Sequence, residues 1–115
     1  MFSSSLSTPN SLMSARIPIG TVSDFPEGRG VPVIAGGRRL AVFRLGERFF
    51  AIDNVCTHNR MRLADGPVQG VVVSCRTHGS RFNLETGAVV KGPARKPVRT
   101  YPVFLVGETV EVEVN

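Results

Sequence analysis

The chain has 115 residues, of which 42% are hydrophobic and 20% charged, with a formal net charge of +5. This is the composition of one ordinary globular domain, with length enough for a core and none to spare for a second catalytic module. No apolar run approaches the roughly 20 residues of a spanning helix, and the N-terminus lacks the charged and apolar regions of a secretory signal. No membrane anchor is expected, and the expected location is cytoplasmic.

Residues 1–14 are Ser-rich (Ser3, Ser4, Ser5, Ser7, Ser11, Ser14), with Pro9 and no acidic residue before Asp24. They read as a disordered extension ahead of a domain spanning 15–115, with Met13 as an alternative start. Short β runs then follow one another between turn residues. Arg16–Ile19 and Val31–Ile34 each contain a proline, which demotes them to sheet edges or strand starts. Gly36-Gly37 breaks the chain before Leu40–Leu45, and Gly46-Glu47 reads as a two-residue hairpin turn into Phe49–Ile52. Residues 53–70 are polar and turn-rich, with Asp53 and Asp65 read as turn residues. Later runs are Val71–Cys75, Phe82–Leu84, Ala88–Val90, Thr100–Val106 and Val110–Val114, with turns at Thr86-Gly87 and Gly107-Glu108. No stretch of twelve residues shows a helical apolar period. The expected fold is therefore all-β, an antiparallel sandwich or small barrel.

The charge is unevenly spread. Between Cys56 and Arg99 lie eight Lys or Arg (Arg60, Arg62, Arg76, Arg81, Lys91, Arg95, Lys96, Arg99) against Asp65 and Glu85, whereas the last eight residues carry Glu108, Glu111 and Glu113. A pI near 10.2 invites a nucleic-acid reading. Against it, the single Tyr is Tyr101, Trp is absent, and the cations are not interleaved with aromatics. A basic region facing an acidic protein partner explains the pattern more simply; the plain alternative is a set of solvated surface arginines.

That region holds every Cys and His of the chain: Cys56-Thr57-His58, sixteen intervening residues, then Cys75-Arg76-Thr77-His78. Two tight clusters with none left over point to metal binding rather than to buried thiols and incidental imidazoles. A Cys₂His₂ zinc site usually takes C-x₂₋₄-C and H-x₃₋₅-H spacings, and C-x-H is too tight for that. One Cys and one His on each of two loops suits a binuclear centre better.

The C-x-H-x₁₆-C-x-x-H pattern, followed by Gly79-Ser80-Arg81-Phe82, resembles the Rieske family and most closely its soluble ferredoxins. Leu84-Glu85-Thr86-Gly87 and Gly92-Pro93-Ala94 extend the likeness, which runs from about Arg16 to the C-terminus. The resemblance implies a Rieske iron–sulfur domain with a two-loop cluster-binding subdomain at about 53–94 and one [2Fe–2S] cluster per chain. By it, Cys56 and Cys75 hold one iron, and His58 and His78 hold the other, nearer the surface. Pro93 matches the loop that covers the cluster. Replacing two thiolates by neutral imidazoles raises the potential, and an imidazole's second nitrogen makes the potential pH-dependent in the alkaline range.

Where high-potential Rieske proteins carry an extra disulfide, this chain has Met61 and Thr77. Of the hydroxyl pair that hydrogen-bonds the cluster in that group, Ser80 is kept, while Phe82 stands at the tyrosine position and cannot donate. The expected potential lies in the lower part of a range of roughly −150 to +300 mV, nudged upward by Arg60, Arg62, Arg76 and Arg81. The same four arginines are candidate partner-docking residues.

No nucleophile–base pair, phosphate-cradling loop or acid/base carboxylate pair is present, so the chain itself is expected not to be an enzyme. No His remains for a mononuclear oxygenase iron. The resemblance implies a soluble, monomeric carrier that passes one electron at a time from a flavin-dependent reductase to a terminal oxygenase. A small subunit of another redox enzyme, such as nitrite reductase, is the alternative within the family.

Overall fold

The structure, a computed structural model, describes residues 15–58 and 60–114, so the extension expected over 1–14 lies outside the described residues. Eleven strands follow in order: β1 (Ala15–Thr21), β2 (Gly30–Ala35), β3 (Arg38–Leu45), β4 (Arg48–Asp53), β5 (Val68–Gln69), β6 (Val72–Ser74), β7 (Arg81–Asn83), β8 (Val89–Lys91), β9 (Thr100–Tyr101), β10 (Val103–Val106) and β11 (Thr109–Val114). Among the described residues the helical segments are two single 3₁₀ turns, Val22–Asp24 and Leu63–Asp65. The strands form three antiparallel sheets, ordered β1-β11-β10, β2-β3-β4-β9 and β5-β6-β7-β8.

Turn chemistry sets much of this order. Four hairpins close through two residues that include glycine at positive φ: Gly36-Gly37, Gly46-Glu47, Gly70-Val71 and Gly107-Glu108. Such turns carry the twist that antiparallel strands need. The proline-bearing strands β1 and β2 both lie at sheet edges, where a missing N–H leaves no ladder bond unmade.

β3 joins the two halves of the molecule. Its run Leu40-Ala41-Val42-Phe43 is buried on both faces. Leu40 and Val42 pack with Phe25, Tyr101, Val110, Val112 and Val114. Ala41 and Phe43 face the other way, into a core of Ile52, Leu63, Val73, Phe82, Leu84, Cys56 and Cys75. A continuous apolar run is the pattern of a strand covered on both sides.

Three expectations are corrected. Thr100–Val106 is two strands, because Pro102 interrupts the ladder and sends β9 and β10 to different sheets. Asp53 is the last residue of β4 rather than a turn residue, and its carboxylate accepts a hydrogen bond from the Tyr101 hydroxyl. β5, only two residues long, carries no periodic signal and is defined by its pairing with β6.

Two close contacts lock the third sheet to its loops. A Cβ at Gly66 would lie 1.9 Å from the Ser74 carbonyl oxygen, and one at Gly87 would lie 2.0 Å from that of Val98. Gly66→Ala should therefore cost about 1–3 kcal/mol by overpacking, read as a lower urea midpoint with an unchanged slope. Burial, then the neighbouring Asp53, pushes the Tyr101 hydroxyl above its usual value of 10.0. The unfolded chain releases that proton first, so this contribution to stability is whole below pH 10 and fades as pH rises towards the folded value. Tyr101→Phe should cost about 1 kcal/mol at neutral pH and flatten the alkaline fall in the melting temperature.

Candidate metal centre

Each Cys/His cluster occupies a loop closed by its own backbone. In the first, the Cys56 amide donates to the Met61 carbonyl at 2.8 Å and the Arg60 amide donates back to the Cys56 carbonyl at 3.0 Å. In the second, the Cys75 amide donates to the Ser80 carbonyl at 2.7 Å and the Gly79 amide to the Cys75 carbonyl at 3.1 Å. The two loops are thus the same turn used twice, with a left-handed residue four places after each cysteine: Arg60 at φ 63° and Gly79 at φ 78°. Only the histidine is offset, two places after Cys56 and three after Cys75.

This repetition produces a polarised donor set. Cys56 and Cys75 are 1% and 2% exposed, sit in one core with Phe82, Leu84 and Ala94, and are not joined in a disulfide. His58 and His78 are exposed, their rings edge to face with centroids 5.3 Å apart. Sulfurs point inward and imidazoles outward. The two sulfurs share one core and the two imidazoles face one another at the surface. Two soft thiolates and two imidazoles fit an iron–sulfur unit in which His₂ replaces Cys₂ on one iron.

The domain profile of the Rieske [2Fe–2S] family matches residues 15–102. The chain belongs to that family. It is 37% identical over 98 residues to the ferredoxin subunit of anthranilate 1,2-dioxygenase from Burkholderia cepacia, covering 85% of this chain and 91% of that one. Among solved structures it resembles the ferredoxin of carbazole 1,9a-dioxygenase from Nocardioides aromaticivorans IC177, with TM-score 0.82 and 28% identity over 84% of this chain and 95% of that one. It also resembles a chain in the complex of reduced oxygenase and oxidised ferredoxin of carbazole 1,9a-dioxygenase, with TM-score 0.78 and 30% identity over 84% and 91% of the two chains. The chain is thereby a Rieske ferredoxin of the kind found in aromatic ring-hydroxylating dioxygenase systems, and the all-β expectation holds, with three sheets instead of a simple sandwich.

Around the Rieske loops the remaining residues divide by role. Asn54 is buried; its side-chain carbonyl accepts from the Ala64 backbone amide at 2.7 Å and its backbone N–H donates to the Arg39 carbonyl at 2.9 Å, fixing the base of the first loop. Ser80 is fully buried, and its hydroxyl oxygen accepts from the Ala94 amide at 2.9 Å. Thr57 donates through its hydroxyl to the Lys96 carbonyl at 2.7 Å. The segment around Pro93 is therefore tied to both ligand loops, one bond to each. Phe82 is wholly buried in the core that holds both sulfurs. Neither Asn54 nor Thr57 stood out in the sequence, since the partners of each are 10 to 39 positions away in the chain, at backbone atoms that no motif marks.

The four expected docking arginines are all exposed but do not form one patch. Arg60 and Arg62 line a groove with Arg39 and Ile34, and Arg76 lines a separate depression with Arg29 and Asp65. Arg62 also lies 3.4 Å from Asp65, and Arg81 pairs across the sheet with Lys91. Two other cations, Arg95 and Lys96, share a shallow depression with Thr57, His58 and Pro93. The helical segments are too short to cross a membrane, and among the described residues no spanning helix occurs.

Ser80→Ala should leave the buried Ala94 amide without its acceptor, at a cost of about 1–3 kcal/mol. Hydrogen exchange at Ala94 should accelerate in step, while exchange in β3 stays unchanged.

Proposed function

We propose that Cys56, His58, Cys75 and His78 hold one [2Fe–2S] cluster in a subdomain of about 53–94, and that the chain passes single electrons from a flavin-dependent reductase to a terminal oxygenase. The observation that carries this reading is the polarity of the four donors, two buried sulfurs beneath two exposed imidazoles. When bound, such a cluster supplies one reversible electron at a potential that its ligands and hydrogen bonds tune.

The chain's own residues supply the rest. Two self-closed loops hold the donors in place, which limits rearrangement when charge changes. Phe43, Leu63, Val73 and Phe82 keep water from the sulfur side. The Pro93 segment, held by Ser80 and Thr57, covers the loops between their tips. Ser80 retains a hydroxyl proton to donate, whereas Phe82 has none, which supports the lower part of the Rieske range. The chain carries electrons and is not itself a catalyst, as with the ferredoxin subunits it resembles.

An acidic partner surface suits the basic region. Of the arginines expected at the interface, Arg60 and Arg81 are the stronger candidates. Arg62 lies 3.4 Å from the carboxylate of Asp65, which offsets its charge, and Arg76 lines a depression that also contains Asp65.

Anaerobically purified protein should contain two irons and two acid-labile sulfides per chain and give, on dithionite reduction, an EPR signal with average g below that of the free electron. Changing any one of Cys56, His58, Cys75 or His78 to Ala should abolish that signal, and Met61→Ala should leave it intact. Retention of the signal in two or more of the four ligand variants would overturn the assignment. Phe82→Tyr should raise the potential and Ser80→Ala lower it, read by voltammetry.

A further inference from the structure

Resting on the carrier reading, we propose that the electron-exchange partner docks an acidic patch into the depression beside His58, with Arg95 and Lys96 as the cations that receive it. Sequence position hides this pairing, since Arg95 and Lys96 follow His58 by nearly forty residues. The structure puts all three, with Thr57 and Pro93, around one concavity.

Several observations converge on that spot. His58 is exposed, so a partner can approach its ring edge. The two cations are exposed, and among the described residues they form no ion pair and no carboxylate lines the depression. Two cations beside one exposed imidazole raise the local positive potential and attract an anionic surface. The cations are also held in place from behind. Thr57 bonds the Lys96 carbonyl at 2.7 Å and the buried Ser80 hydroxyl bonds the Ala94 amide at 2.9 Å, on either side of Arg95. Their backbone is thus ordered before a partner arrives, which lowers the entropy that docking costs. Arg62 and Arg76 offer the contrast: both are exposed, but Arg62 is paired with Asp65, Arg76 lines a depression that contains Asp65, and neither lines this one.

Two double variants of the holo-protein separate local from overall charge, because each takes the net charge from +5 to +1: Arg95→Glu/Lys96→Glu and Arg62→Glu/Arg76→Glu. The reduced proteins are mixed by stopped flow with ferricyanide, an anion, or with hexaamminecobalt(III), a cation. One electron leaves the protein in each encounter, giving ferrocyanide or cobalt(II), with no bond made to the protein. The ratio of the two rates cancels any shift in driving force. At low ionic strength Arg95→Glu/Lys96→Glu should lower the ferricyanide-to-cobalt ratio about tenfold or more, and Arg62→Glu/Arg76→Glu should change it less than about twofold. In high salt the difference should vanish.

Equal effects of the two variants, or no effect of the first, would overturn the proposal. If the Glu variant fails to assemble its cluster, Arg95→Gln/Lys96→Gln against Arg62→Gln/Arg76→Gln reads the same ratio. A titration with fluorescein-labelled octaglutamate, followed by anisotropy, needs no redox chemistry and should weaken severalfold more in the first variant than in the second. Absence of the low-g signal in the unaltered protein would strike the carrier reading, and the peptide titration would still decide the surface.

Discussion

The molecule depends on one backbone device, a loop in which the cysteine amide donates to a carbonyl five residues on and the cysteine carbonyl accepts from the amide four residues on. Satisfying both polar groups of a buried residue within its own loop removes the desolvation cost that burying a cysteine backbone would otherwise carry. It also sets direction, because the cysteine side chain enters the core while the histidine, two or three positions later, emerges at the turn. Used twice, the device brings two sulfurs into one apolar core and two imidazoles to within 5.3 Å of each other.

The same turn makes different demands of its two copies. The position four after the cysteine needs a left-handed backbone, which glycine adopts freely and an L side chain adopts at a cost of roughly 1 kcal/mol. Gly79 meets that demand in the second loop, and Arg60 meets it in the first. Strain retained at such a place goes with function more often than with folding. Here the side chain it keeps is a cation at the edge of the ligand loop, lining the groove that also contains Arg39 and Arg62.

Charge follows the division of the two cores. Glu108, Glu111 and Glu113 belong to the β10–β11 hairpin, in the sheet with β1, where Arg16 lies 3.1 Å from Glu111. The ligand loops and the Pro93 segment belong to the other core, joined to the first through β3, and collect most of the positive charge. A chain of modest net charge therefore carries most of its excess cations on the segments around the two Cys/His loops. Had the proposed partner an acidic surface, association would be fast at low salt and readily reversed, which suits a carrier that must release one partner before meeting the next.

Spacing alone, C-x-H and C-x-x-H with no other Cys or His, made the family legible and marked four candidate donors, because the chemistry requires those residue types and leaves few substitutes. Glycine pairs likewise announced the hairpins, and the two prolines announced the edges, since each acts through its own backbone. What the sequence could not decide was everything that depends on distant partners. Pro102 splitting one apolar run between two sheets, Asn54 and Thr57 bonding backbone atoms far along the chain, and Arg95 and Lys96 arriving beside His58 all follow from packing. Local residue preferences specify turns and donors, whereas the neighbours of a donor are chosen only when the sheets close on one another.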